Sequence, residues 1–266
     1  MRRPAVAGMF YPGSEAELRG LIARLAPREP VAKTKACGIV VPHAGYVYSG
    51  GVAASVYASI EGAPTFVIMG PNHHGMGSTV AVSTQQWATP LGNVEVDEDF
   101  VDLLSDKGGG IIDRDEIAHC SEHSIEVQLP FLQYFFRDFR IVPISLGMQD
   151  YDSVKEIAAE LIRALTKHDR PVVIVASSDL THYEDVSVAR KKDATLIGDI
   201  EKMDVPGLYD DLYGLNATAC GYGPIAAMLM ACGARGAKSG KLVKYATSGD
   251  VTGDSQVVGY AGIVVS

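Results

Sequence analysis

Positive charge is scarce in these 266 residues: 23 Lys plus Arg stand against 32 Asp plus Glu, a formal net charge of −9. An unaided nucleic-acid binder needs clustered basic side chains to neutralise phosphates, and so does a protein that docks on an anionic bilayer. The balance argues against both partners. Long apolar runs are missing too. The longest, such as Pro171 to Ala176, are strand-length and far short of the roughly 20 residues that a helix needs to span a bilayer. The opening MRRPAVAGMFYPGSEAEL has two arginines but no long apolar stretch, and acids follow at once, so it does not read as a signal peptide. The expected location is the cytoplasm. Paired cysteines are also lacking. Cys37, Cys120, Cys220 and Cys232 form no CxxC, which leaves a structural zinc site of the usual kind unsupported. In a reducing compartment they are expected to be buried thiols or ligands.

What is present is the material of a globular domain. The chain is 47% apolar and 21% charged, which excludes intrinsic disorder, and its 28 glycines follow no short period. Apolar runs alternate with amphipathic stretches. Ser14 to Leu25 opens on the capping box Ser14/Glu17 and puts Leu18, Leu21, Ile22 and Leu25 on one helical face. Strands are expected at Ala36–Pro42, Thr65–Gly70, Arg140–Leu146, Pro171–Ala176, Lys241–Ala246 and Val257–Val265. Helices are expected at Gly50–Ile60, Asp97–Leu104, Ser153–Leu165, Val186–Met203 and Pro224–Cys232. Ser78–Thr84 and Val94–Val96 suggest an antiparallel excursion. Glu122–Phe136 reads as one long amphipathic helix, kinked or broken at Pro130. Pro143 suggests a bend or an edge position for its strand. Strand-then-helix repetition implies one α/β domain over 1–266, with a mostly parallel or mixed central sheet and helices on both faces.

The chemically unusual residues follow strands. His43 comes after ACGIVVP, His73 and His74 after TFVIMGPN, and Asp179 and His182 after PVVIVASS. In an open α/β sheet the ligand crevice lies beyond the carboxyl ends of the strands, so these groups share one rim. Each has a bland reading as well. His43 would equally bond a backbone carbonyl, and adjacent histidines usually diverge, so one of His73 and His74 faces the crevice. Asp179 would serve as a helix N-cap, although a helical turn there would set His182 on the same face. In EHSIEVQLPF, His123 and Glu126 are spaced to share a helical face. In TACGYGP, Cys220 would be a buried thiol or a ligand, and Gly221 would let the backbone approach a crowded site. His168 is expected on the surface. Together, imidazole, carboxylate and thiol are the ligands of first-row transition metals.

VPHAGYVYSG, GPNHHG, EHSIEVQLPFL, SSDLTHY and ACGYGPI, in this order, resemble the Memo family, which is related in fold to the class III extradiol ring-cleaving (LigB-type) dioxygenases. The likeness runs from GMFYPGS to YAGIVV, and an archaeal member fits the compact length. It implies His43, His73 and Cys220 as metal ligands, with His123, His182 and Asp179 as catalytic residues in the same cleft. Fe(II) is the metal expected first, with copper or zinc as the others. The ring-cleaving relatives hold iron with two histidines and a glutamate, so a thiolate in the third place departs from their pattern. The function expected is that of a metal-dependent redox enzyme of non-haem, dioxygenase-like type, in which His123 or His182 moves protons and Asp179 orients a ring. A second reading is a non-catalytic metal-binding adaptor, with Tyr46, Tyr48, Tyr183 and Tyr222 lining a cleft for a peptide or small-molecule ligand. A zinc-dependent hydrolase is the third, and the chain has no HExxH pattern to support it.

Overall fold

The structure is a computed structural model that describes residues 1–105 and 110–266. Its strands are β1 (Gly38–Val41), β2 (Thr65–Pro71), β3 (Val80–Val82), β4 (Trp87–Thr89), β5 (Gly92–Val94), β6 (Asp113–Arg114), β7 (Arg140–Leu146), β8 (Val172–Ser177), β9 (His182–Asp185), β10 (Gly240–Thr247) and β11 (Gln256–Val265). Its helices are α1 (Glu15–Leu25), α2 (Tyr46–Ala58), α3 (Glu98–Leu104), α4 (Leu129–Phe135), α5 (Tyr151–Lys167), α6 (Val186–Lys202), α7 (Val205–Gly214), α8 (Tyr222–Ala234) and α9 (Gly249–Thr252).

The central sheet runs β10-β11-β1-β8-β2-β7-β3-β6, with β9 paired to β11. Its middle, β1-β8-β2-β7, is parallel, and antiparallel pairs flank it at β11/β1 and β7/β3. Every residue of β1, β2 and β8 is buried. Their unbroken apolar sequences reflect a sheet covered on both faces. Two glycines show the covering. A Cβ at Gly38 would stand 2.5 Å from Met228 Sδ of α8, whereas one at Gly262, whose position in β11 faces the other way, would run into Val56 of α2. None of the helices among the described residues is long and apolar enough to cross a membrane.

Four local expectations are corrected. β7 is an interior strand, paired on both sides. Arg140 N–H points to Pro64 O on the β2 flank and Ile141 N–H to Glu95 O on the other. By alternation the nitrogen of Pro143, which has no hydrogen to give, faces the second flank, where the β3 ladder ends at Val82. Ser78–Thr84 and Val94–Val96 do not pair together, because β3 joins the main sheet while β5 pairs with β4. Glu122–Phe136 is not one helix. A 3-10 turn at Glu126–Gln128 leads into α4, and Pro130 sits in the first turn of that helix, where its missing N–H costs nothing. Finally, His168 is not a surface group. Its side chain is 4% exposed, 3.7 Å from Asp97 Oδ2 and edge-on to Phe100.

Candidate metal centre

Because β1, β8 and β2 are adjacent and parallel, their carboxyl ends form one rim. His43 follows β1, Asp179 follows β8 and His73 follows β2. His123 reaches the same place from the irregular stretch before the 3-10 turn. One ring nitrogen each from His43, His73 and His123 lies within 4.8 Å of the others. The rings of His73 and His123 stack at 4.7 Å, and His43 stands edge-on to both.

Hydrogen bonds fix which nitrogen each ring presents. Ser177 Oγ has one proton, and it donates that proton to Ser124 O at 2.6 Å. It accepts from Gln128 Nε2 at 2.9 Å, and that amide is itself oriented by Tyr57 O–H on its oxygen and by its own bond to Pro42 O. The remaining contact, His43 Nδ1 at 3.0 Å, must then be an N–H donating to the serine oxygen. The lone pair of His43 is therefore on Nε2. His73 Nδ1 donates to Glu122 Oε1 at 2.9 Å, which leaves its lone pair on Nε2 as well. His123 Nδ1 is 3.4 Å from the same carboxylate oxygen. Burial pushes the His43 imidazolium far below its ordinary range, and the rings of His123 and His73 push the same way. Burial also lowers His123 to about 4, against the attraction of Glu122. Both rings are neutral at neutral pH, as metal binding requires.

A family model described as Memo-like protein matches residues 2–264. The chain belongs to the Memo family. It is 53% identical to a MEMO1 family protein of Methanococcoides burtonii, with all of both chains covered. It is 51% identical to one of Methanosarcina acetivorans over 100% of this chain and 99% of the relative, and 49% identical to one of Archaeoglobus fulgidus over 99% of each.

The other residues expected at the Memo site are placed as follows. Cys220 precedes α8, with its sulfur 3.1 Å from His43 Nε2, and accepts from Asp179 N at 3.3 Å. Burial pushes its thiol far up, and the charge of Asp179 adds to this. The backbone does approach closely at Gly221, where a Cβ would lie 2.7 Å from Ser178 Cβ. Asp179 Oδ1 accepts the main-chain N–H of His43 at 2.8 Å. Its burial raises the carboxyl to about 6, against the hydrogen bond from His43. It does not cap a helix. His182 opens strand β9, so no helical turn joins it to Asp179; its Nδ1 donates to Thr218 O at 2.8 Å. Of the paired histidines, His73 lines the cleft, while His74 is half exposed and 3.5 Å from Glu122.

Glu122 is the functional candidate that sequence reasoning passed over. Besides His73 Nδ1, it accepts the main-chain N–H groups of His73, His123 and Ser124 at 2.6–2.9 Å. Burial alone would raise its pKa, but His73 and these N–H donors hold it well below the ordinary carboxylate range. Glu126 faces away from the site. It pairs with Arg2 at 2.7 Å and accepts from Ala5 N, Val6 N and Tyr11 O–H. That network pins the segment that brings Phe10 against the His123 ring, 4.8 Å between centroids. The cleft above the histidines holds about 640 Å³, and Asp179, His182, Tyr48, Tyr183 and Tyr260 line it.

Proposed function

We propose that this chain is a metal-dependent redox enzyme that holds a first-row transition metal on His43, His73 and His123. The observation that carries the reading is a set of three imidazoles opening onto a cleft of about 640 Å³. Structural metal sites close their coordination with four protein ligands, whereas catalytic ones keep positions free. The donor set fits such an ion. One ring nitrogen from each histidine lies within 4.8 Å of the others, and Ser177 and Glu122 leave the lone pairs of His43 and His73 on Nε2. Three imidazoles suit iron, copper and zinc alike, and Fe(II) is the occupant we propose first, with copper next.

A bound metal supplies a redox couple and open positions for substrate and an oxidant such as dioxygen. The protein supplies the rest. Glu122 fixes the tautomer of His73, so that its Nε2 lone pair faces the centre. Asp179 holds the His43 backbone. His182, with Nδ1 committed to Thr218, keeps Nε2 to accept and return a proton in the cleft. The Cys220 sulfur, beside His43, is the alternative third donor in place of His123, so either set of three protein ligands leaves positions free. Protein purified without oxygen and without added metal should carry close to one equivalent of iron or copper by elemental analysis, and should consume oxygen when a reductant is offered. Metal at trace occupancy would sink the reading.

A second reading rests on the cleft mouth, where Met9, Tyr48 and Tyr183 are 74%, 41% and 77% exposed. Such a rim suits a peptide or small-molecule ligand held by a non-catalytic metal-binding adaptor. Peptide capture that survives His43→Ala and loss of the metal would favour it.

A further inference from the structure

Two thiols meet away from the cleft, at the opposite ends of the elements that carry His43 and Cys220. Strand β1 runs from Cys37 toward His43, and α8 runs from Cys220 toward Cys232. The Cys37 backbone is fixed from both sides: its N–H donates to Val265 O at 2.8 Å and its carbonyl accepts from Ile174 N at 3.1 Å. Cys232 O is fixed too, as the acceptor for Arg235 N and Ala237 N at the end of α8. Between these anchors the Cys37 thiol donates to Cys232 O across 4.0 Å, which sets the two cysteines against each other. Gly38 makes the approach possible, since a Cβ there would stand 2.8 Å from Cys232 Sγ.

The two sulfurs differ in a way that assigns roles. Cys37 is half-buried, while Cys232 is fully buried. Arg235, whose Nη1 is tied to Val172 O at 3.0 Å, lies against Cys37. The neighbouring Cys232 side chain lowers Cys37 to about 7 against the effect of burial, and Arg235 assists. The Cys37 side chain in turn raises Cys232, with burial adding to it. A thiolate that is partly reachable and backed by a protonated thiol is the arrangement that oxidises stepwise to a disulfide.

We propose that Cys37 and Cys232 are a reversible dithiol/disulfide pair, with Cys37 the sulfur attacked by peroxide and Cys232 the one that resolves it. The Cys37 thiolate attacks one peroxide oxygen. The S–O bond forms, the O–O bond breaks, and the leaving oxygen departs with the electron pair as hydroxide or alkoxide. Sulfur is oxidised by two electrons and the peroxide is reduced. Cys232 then attacks the Cys37 sulfur. The S–S bond forms, the S–O bond breaks, and the departing hydroxide takes the Cys232 proton and leaves as water. In sum, two thiols and one hydroperoxide give a disulfide, an alcohol or water, and a further water. This pair does not depend on the metal reading.

The test uses full-length Cys120→Ser protein, which removes the exposed thiol, treated with equimolar hydrogen peroxide in the presence of a chelator. Non-reducing peptide mapping should find Cys37 linked to Cys232, two hydrogens lighter than the separate peptides and separated again by dithiothreitol. With Cys232→Ala added, dimedone should capture a sulfenic acid on Cys37. With Cys37→Ala added instead, Cys232 should remain a free thiol. Three thiols that stay fully titratable after peroxide, or a Cys37 sulfenic acid that persists while Cys232 is present, would overturn the proposal.

Discussion

Glu122→Gln tests how the centre is held. The carboxylate is a four-way acceptor: Oε1 takes His73 Nδ1–H and the main-chain N–H of His123 and Ser124, and Oε2 takes the main-chain N–H of His73. A glutamine keeps the shape but has one oxygen. Its amide oxygen must replace Oε1, where three donors converge, and its NH2 then faces the His73 N–H across 2.6 Å. One buried donor is left without an acceptor and a second is set against it, which costs about 1–3 kcal/mol of stability. The effect on metal is separate. The His73 N–H bond changes from charge-assisted to neutral, so the ring becomes a poorer donor, and loss of such a partner weakens metal binding about 10- to 100-fold. Titration of metal-free protein with Co(II), followed by visible absorption in competition with a chelator, measures this. Near-ultraviolet circular dichroism checks that the variant is folded. A folded Glu122→Gln protein that binds Co(II) within about twofold of the parent would refute the argument, since that carboxylate would then be a structural staple only.

Arg2→Ala removes a guanidinium that pairs with buried Glu126, bonds His119 O and Glu122 O, and lies 4.1 Å over Trp87. It leaves a buried carboxylate without its cation, so urea unfolding should show a loss of about 3–5 kcal/mol; a loss under about 1 kcal/mol would contradict the burial of that pair. His119 is held neutral. Burial, with Arg2 assisting, lowers it to about 4, and Nδ1 has no partner among the described residues while Nε2–H donates to Ala81 O. Its contribution is full above about 6.5 and is lost as pH falls toward 4, up to roughly 3 kcal/mol. The stability gap between the parent and His119→Leu should therefore narrow over that range, and a gap constant with pH would count against it. Cys220→Ser should weaken metal binding about tenfold or more while barely moving the melting temperature, and unchanged affinity would remove the sulfur from the donor set.

The rim was legible because strand ends are. Short apolar runs followed at once by His43, His73 or Asp179 place those residues whatever else folds around them. The surroundings were not. Glu122 acts on main-chain N–H groups and on a ring 49 residues away, and neither leaves a mark in local periodicity. The alternation across Glu122–Phe136 reads as one amphipathic helix only if its polar positions face solvent, but Glu126 is buried against Arg2 and Gln128 against Ser177. His168 looked like a surface residue because the partners that enclose it, Asp97 and Phe100, lie far off in sequence. Pro143 misled because a proline rule stated for whole strands applies only to the flank its nitrogen faces.

The bond between Arg2 and Glu126 joins residues 124 apart. Ribosomes add about 5–20 residues per second, so Arg2 waits roughly 6 to 25 s before its partner exists. Through that interval Phe10 has no His123 to lie against, and β1 still lacks β11, the last strand to emerge. The wall of the cleft is thus made early and installed late. A chaperone that shields the opening segment of the nascent chain would act on this protein during that window, and slowing translation upstream of codon 126 would lengthen it.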